Sequence, residues 1–300
     1  MSSNSPRTMP VASLLVGASL WGVIWYPMRL LEAGGLHGIW LTLVLYGTAL
    51  AVSLPRTYSG VAELRQSPRV AVLLMASAGW TNIAFVEAVL EGNILRVLLL
   101  FYLSPLWAAL MGWVFLGERM SRRALSSLAL AMGGAAVMLW NPELGMPWPE
   151  GRAEWMAISS GFAFALSNVA TRGAERLSIP AKALCVWAGV TVVAIVLLPV
   201  FQAPVPHVTM GVLLGAAALG MLGIMFMTLM VQYGVTHMPV HRSAVIVLIE
   251  LVAGAVSQQL LTDEVVTARE WVGGALIILG AYLAARREPE LPSPVPAGEP

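Results

Sequence analysis

The stretch RVLLLFYLSPLWAALMGWVFLGERMSRR, residues 96–123, decides the fold of this chain. Between Arg96 and Glu118 about twenty residues carry no charge, enough to cross a bilayer core of ~30 Å at ~1.5 Å per residue. Pro105 lies near the middle of the stretch, and a Gly-Glu-Arg corner ends it. The stretch is therefore predicted to be a membrane-spanning helix that is interrupted near its centre.

The same pattern returns in the second half of the chain. A shift of 146 positions lays the stretch over RSAVIVLIELVAGAVSQQLLTDEVVTAR, residues 242–269. Arg96 then falls on Arg242 and Glu118 on Glu264, and Gly134 falls on Gly280 further along. The correspondence predicts that one structural unit occurs twice.

Composition indicates the class of protein. Of the 300 residues, 58% are hydrophobic and 11% are charged, whereas an ordinary soluble domain has roughly 25% charged residues. A soluble fold of this size has too little interior to hide so much apolar surface. The chain is therefore predicted to be an all-α integral membrane protein. Its single cysteine, Cys185, lies in an apolar run and is interpreted as a buried thiol without a chemical role.

About ten membrane-spanning helices are expected, five in each half. The apolar segments are 11–30, 38–54, 70–89, 95–116, 123–140, 154–171, 183–200, 210–232, 240–261 and 271–285. We expect a cytoplasmic tail at 1–10, a first five-helix unit at 11–140, a proline-rich linker at 141–153, a second unit at 154–286 and a disordered cytoplasmic tail at 287–300.

Basic residues predict the orientation of these helices. With the amino terminus in the cytoplasm, 13 of the 17 basic residues lie on the inner side and 4 on the outer side. The outer four are Arg29, Arg96, Arg152 and Arg269. The inner ones are Arg7, Arg56, Arg65, Arg69, Arg119, Arg122, Arg123, Arg172, Arg176, Lys182, Arg242, Arg286 and Arg287. Both termini are predicted to be cytoplasmic.

An odd number of helices per unit means that the second unit enters the membrane upside down. The first span of each half agrees with this at a shift of 143, which pairs Arg29 with Arg172. Inverted repeats with a substrate site at their interface, near the membrane midplane, are typical of secondary transporters. The sequence thus predicts transport by alternating access, in which one half rocks against the other.

These features resemble the drug/metabolite transporter superfamily and, within it, the EamA-type repeat. The residues that carry the likeness are Leu20-Trp21-Gly22, SPLWAALMGWVFLGER at 104–119, and Gly133-Gly134. The second copy departs from the pattern, because Leu251 stands where the proline would be and Asp263-Glu264 replaces Gly-Glu. Tyr102-Leu103-x-Pro105 and an aromatic sixth helix are similar to the YddG-type exporters of aromatic and other amino acids and of methyl viologen.

The resemblance implies export of small metabolites from the cytoplasm across a bacterial inner membrane. It also implies a central cavity lined by helices one, three, four, six, eight and nine. The expected partners are a small-molecule substrate and the lipid bilayer, without nucleic acid or cofactor. The oligomeric state stays open, and a monomer is compatible with the sequence.

The fourth helix holds the first predicted substrate contacts, Tyr102 and Ser104. Pro105 lacks an N–H group, so it frees the carbonyl of Phe101 four residues earlier and kinks the helix. A freed carbonyl inside a bilayer needs water, a side chain or a ligand. The alternative is that Ser104 or a neighbouring helix satisfies the carbonyl and the kink is only architectural.

Glu250 is predicted to lie near the centre of the ninth helix, and the 146 shift places it on Ser104. An ionisable group at this depth is costly and by default indicates a functional site. It would bind a substrate ammonium, exchange a proton, or stay protonated in a polar cluster.

Other candidates lie on helices one, three and six. Trp25 is either a flat wall of the binding site or an aromatic at the membrane interface. Asn82 either lines the pore or forms an interhelical hydrogen bond. Phe164, Ser167 and Asn168 share one helix face, which suits a ligand with an apolar side chain and a zwitterionic head, or else packs helices.

Two other classes of protein compete with a transporter. A membrane-embedded enzyme would need a nucleophile with its base or a metal set, but the sequence has no Gly-x-Ser-x-Gly, no His-Glu-x-x-His and only 4 histidines. Pro239 separates His237 from His241, so no metal site is expected. A passive channel is not distinguished from a transporter by sequence, and without a Walker loop direct use of ATP is not expected.

Overall fold

The computed structural model describes residues 5–55, 58–144, 148–263 and 265–286. Several predictions therefore fall outside the described residues. They concern residues 1–4, Arg56, Glu264 and the tail 287–300.

The described residues form α-helices, one short 3₁₀ turn (Pro142–Leu144) and one π-helical turn (Leu219–Ile224), with no β-strand among them. In chain order the helices are α1 (Ser5–Val23), α2 (Trp25–Ala33), α3 (Gly38–Ser53), α4 (Tyr58–Gln66), α5 (Pro68–Glu91), α6 (Ile94–Phe101), α7 (Ser104–Leu116), α8 (Arg122–Leu139), α9 (Arg152–Gly173), α10 (Ile179–Leu197), α11 (Met210–Ala218), α12 (Met225–His237), α13 (Val240–Val247), α14 (Ile249–Leu261) and α15 (Ala268–Ala285).

In the described part of the chain, seven helical segments are long and apolar enough to cross a membrane. They are Thr8–Ala33, Pro68–Glu91, Ile94–Leu116, Ile179–Phe201, Met210–His237, Val240–Leu261 and Ala268–Ala285. Helix α3 is apolar but shorter, at 16 residues. The fold is therefore that of an all-helical, multi-pass membrane protein.

Polar side chains fix where several helices begin. Asn93, Ser121, Ser178, Thr209 and Thr267 each accept a hydrogen bond from a backbone N–H in the first turn of the helix that follows. These caps satisfy donors that have no partner within the helix. They explain why α6, α8, α10, α11 and α15 begin at these residues.

Close glycine contacts hold helices of the two halves together. Helix α8 packs along α15, where a Cβ added at Gly134 would lie 2.5 Å from the carbonyl oxygen of Gly273. A Cβ at Gly280 would lie 2.8 Å from the carbonyl oxygen of Ser127. Because glycine has no Cβ, the two backbones approach each other closely.

Two membrane-crossing helices are broken near their centres. The segment Ile94–Leu116 breaks at Tyr102 and Leu103, between α6 and α7. The segment Val240–Leu261 breaks at Leu248, between α13 and α14, although it has no proline there. Helix α1 crosses α14 near this second break, since a Cβ at Gly22 would lie 2.3 Å from the carbonyl oxygen of Glu250.

Candidate functional site

The break between α6 and α7 forms one side of the candidate site. Because Pro105 has no N–H, the Phe101 carbonyl lacks its partner within the helix. That carbonyl faces α9, where a Cβ added at Gly161 would lie 2.5 Å from its oxygen. The backbone of α9 thus closely approaches the freed carbonyl, and the choice between a substrate contact and an architectural kink stays open.

Across the break, the side chains of Tyr102 and Glu250 form a hydrogen bond. The Tyr102 hydroxyl donates and the Glu250 carboxylate accepts. Tyr102 is buried, while Glu250 is partly buried in the first turn of α14, just after the break at Leu248. A tyrosine of one broken helix and a carboxylate of the other therefore meet inside the helix bundle.

Three further aromatic rings form a cluster next to Tyr102, with Phe101 at its centre. Its ring centroid lies 5.2 Å from that of Tyr102, 4.8 Å from Phe85 and 5.6 Å from Phe164. These are tilted or edge-on arrangements, which aromatic rings prefer. Helices α5, α6 and α9 thus contribute one phenylalanine each to an aromatic cluster that contacts Tyr102, the partner of Glu250.

Three other predicted residues are buried near these elements. Ser104 begins α7, and Ser167 and Asn168 follow Phe164 by three and four positions on α9. Their role as substrate contacts stays a prediction.

Trp25 and Asn82 form hydrogen bonds apart from the Tyr102–Glu250 pair. The Trp25 Nε1–H donates to Ser257 Oγ on α14 at 2.8 Å. Asn82 accepts from the Tyr46 hydroxyl at 2.8 Å, and its own amide donates to the Ala78 carbonyl at 3.0 Å. Both side chains therefore have protein partners, and their role as substrate contacts stays a prediction.

Sequence reasoning missed the rings of Phe85 and Phe101 and the partner of Trp25, Ser257. Phe85 lies three positions after Asn82, on the same face of α5, and Phe101 directly precedes Tyr102. Those spacings are signals that could have found the two rings. Ser257 offered no such signal, because its contact with Trp25 joins residues 232 positions apart.

The described residues contain no group of three or more His, Cys, Asp or Glu side chains able to hold a metal ion. His237 ends α12 and donates from Nδ1 to the Tyr233 carbonyl at 2.7 Å, whereas His241 lies on α13. The i, i+4 spacing therefore does not place them on one helix.

Comparison with known proteins identifies the family. The model of the EamA-like transporter family matches residues 8–140 and again residues 151–286. The chain belongs to this family.

Individual relatives are more distant. The protein RarD of Salmonella typhi is 34% identical over 92 residues, which are 30% of this chain and 31% of RarD. The chain thus matches about a third of the length of its RarD relatives. An uncharacterized transporter of Archaeoglobus fulgidus is 25% identical over 69% of this chain and 72% of its own.

A solved crystal structure supports the same fold. It aligns with a TM-score of 0.72 at 20% identity and covers 93% of this chain and 98% of its own. At this level of identity the likeness concerns the fold alone.

Proposed function

We propose that the chain is a secondary transporter that exports small amphipathic metabolites by alternating access. Amino acids with aromatic or apolar side chains are the first candidate substrates, and cationic drugs such as methyl viologen are further ones. The observation that carries the proposal is the hydrogen bond between Tyr102 and Glu250, made where two broken helices meet.

The chemistry of this site fits an ammonium group attached to an apolar body. Glu250 is an acceptor for the ammonium, and the rings of Phe85, Phe101 and Phe164 offer an apolar surface next to Tyr102, its hydrogen-bond partner. Aromatic faces also attract cations. Ser167 and Asn168 are proposed to meet the polar head of the substrate.

The proposed architecture is ten spans in two inverted units, at 11–140 and 154–286, joined by the linker 141–153. The family model matches twice, which supports two units. The break at Tyr102 and the break at Leu248 are 146 positions apart. The 146 shift places Gly134 on Gly280 and Ser127 on Gly273. It therefore converts the contact of Gly134 with Gly273 into that of Gly280 with Ser127, as expected for a twofold relation between units.

Orientation remains part of the proposal. The excess of Arg and Lys on one side supports cytoplasmic termini and an inner-membrane location.

Uptake into liposomes containing the purified protein tests the function. A panel of labelled amino acids, with and without a proton gradient, is expected to show exchange of aromatic or apolar members. If no amino acid exchanges or accumulates, the proposed substrate class is wrong. Ion conductance without counterflow would instead indicate a passive channel.

The role of the carboxylate is tested with Glu250→Gln, which keeps the size of the side chain and removes its charge. We expect substrate exchange to fall and its dependence on pH to flatten. Glu143→Gln, on the exposed 3₁₀ turn, is the control for the loss of one carboxylate. An unchanged rate and pH profile for Glu250→Gln would exclude both ammonium binding and proton exchange by this group.

A further inference from the structure

The corner after α7 carries a second glutamate that joins the two halves of the chain. Gly117 ends α7 with a left-handed backbone (φ 67°), and Glu118 follows it. Glu118 Oε1 accepts a hydrogen bond from Arg172 Nε at 3.2 Å and forms an ion pair with it. Glu118 Oε2 accepts from the backbone N–H of Val240 at 2.7 Å. We name these three groups, Glu118, Arg172 and the Val240 N–H, the Glu118 lock.

The lock connects elements that belong to different family-matched segments. Glu118 lies in the segment 8–140, whereas Arg172 and Val240 lie in 151–286. Arg172 also donates to the Thr236 carbonyl at 3.1 Å, and Lys182 donates to the Thr236 hydroxyl at 3.1 Å. The ends of α7, α9 and α12 and the starts of α10 and α13 are therefore tied together at one place.

Behind the lock the helices are closely packed. Side chains of α7, α9 and α13 form a cluster of buried residues, which are Ala108, Met111, Ala165, Val169, Val240 and Ala244. Separation of α13 from α7 at this end would expose that cluster.

At the opposite end of the membrane-crossing segment that Val240 begins, the arginine equivalent to Arg172 has different surroundings. Val240 begins the 22-residue segment Val240–Leu261, about 33 Å long at ~1.5 Å per residue, and Thr262 follows its last residue. There Arg29, which the 143 shift pairs with Arg172, lines a cavity of about 560 Å³ together with Thr262 and Asp263. Arg29 is exposed and forms no ion pair with any described residue.

The first turn of α6 is capped differently from the first turn of α13, its equivalent in the second half. The 146 shift pairs Ile94 with Val240, but here the side chain of Asn93 caps the helix by accepting from Leu95 N and Arg96 N. The acidic residue that corresponds to Glu118 is Glu264, which lies outside the described residues. The end at Glu118 is therefore tied by an ion pair and a cap. At the other end the two segments are joined by the ion pairs of Arg96 with Glu154 (3.6 Å) and of Arg152 with Glu91 (3.1 Å), but Arg29, the equivalent of Arg172, faces an open cavity.

We propose that the Glu118 lock is the gate that holds this end of the transporter shut, and that it breaks when the pathway opens there. In the opposite state the cavity at Arg29 closes and Arg29 approaches the corner that contains Asp263. This inference rests on the inverted repeat of the proposed function, which makes the end at Glu118 cytoplasmic. Because the lock forms in only one of the two conformations, the free energy of its interactions shifts the conformational equilibrium towards that conformation.

Labelling of single cysteines tests the lock without any substrate. In a Cys185→Ser background, Ala244→Cys reports on the cluster behind the lock, and Ala33→Cys reports on the cavity at Arg29. Each is combined with Glu118→Gln, which removes the ion pair and keeps an acceptor for Val240. Reaction rates with a membrane-impermeant maleimide are measured in reconstituted vesicles of both orientations.

With Glu118→Gln we expect labelling at position 244 to rise by about fivefold or more and labelling at position 33 to fall. Glu175→Gln, an exposed glutamate just beyond α9, is the matched control and should leave both rates unchanged. A rise at both positions would indicate local unfolding and overturn the proposal, as would unchanged rates. Because the labelling uses no substrate, it tests the lock even if the uptake experiment finds no transported amino acid. If the protein transports amino acids but Glu118→Gln leaves both labelling rates unchanged, the lock is overturned and the proposed function stands.

Discussion

At the scale of single residues, the hydroxyl of Tyr102 is the group whose removal is most informative. Tyr102→Phe keeps the ring against Phe101 and deletes the donor to Glu250. A hydrogen bond to a charged group contributes about 1.5–3 kcal/mol, so exchange of an amine substrate is expected to fall by about tenfold or more. The measurement is counterflow of a labelled amino acid in proteoliposomes.

Tyr282→Phe serves as the control for this change, because the Tyr282 ring is half exposed at the end of α15. Thermal stability of both variants in detergent separates a folding defect from a transport defect. If Tyr102→Phe shows the same counterflow rate as the wild-type protein, the Tyr102–Glu250 pair packs helices and does not act on the substrate.

At the scale of elements, two neighbouring glycines of α8 allow the effect of helix packing on stability to be measured apart from the effect of helix propensity. A Cβ at Gly134 would lie 2.5 Å from the backbone of α15, whereas a Cβ at Gly133 meets nothing within 4 Å. We expect Gly134→Ala to destabilise the protein by about 1–3 kcal/mol through overpacking. Gly133→Ala should be neutral or stabilise by up to about 1 kcal/mol, because alanine favours a helix.

The measurement is the thermal or denaturant unfolding of the two variants side by side. Equal stabilities would contradict the close packing of α8 on α15. Since both positions lie in one helix, differences in expression or membrane insertion affect them alike.

At the scale of the whole molecule, the proposed twofold relation between the two halves predicts that substitutions at equivalent positions have similar effects. Gly280 corresponds to Gly134 and meets the backbone of α8 as Gly134 meets that of α15. Gly280→Ala is therefore expected to lower stability by an amount similar to that of Gly134→Ala, about 1–3 kcal/mol. The same unfolding measurement applies, and a neutral Gly280→Ala would contradict the relation.

Much of the fold could be predicted because apolar length and helix caps are local properties. The span predicted at 240–261 is the segment Val240–Leu261, and the one at 95–116 is Ile94–Leu116. The break at Tyr102 follows from Pro105. No proline or glycine marks the break at Leu248, and the signal in the sequence that could have predicted it is the 146 shift, which places Tyr102 on Leu248.

The sequence by itself determined that this is a membrane protein and where its apolar helices lie. It also predicted Glu250 and Tyr102 as polar groups of a substrate site. Each of these conclusions depends on composition or on spacing within about twenty residues. The tertiary structure decided that Tyr102 donates to Glu250, that Phe101 joins Phe85 and Phe164, and that Glu118 ties Arg172 to Val240. Most of these contacts join residues far apart in the chain, so they depend on how the helices pack, which local sequence pattern does not encode.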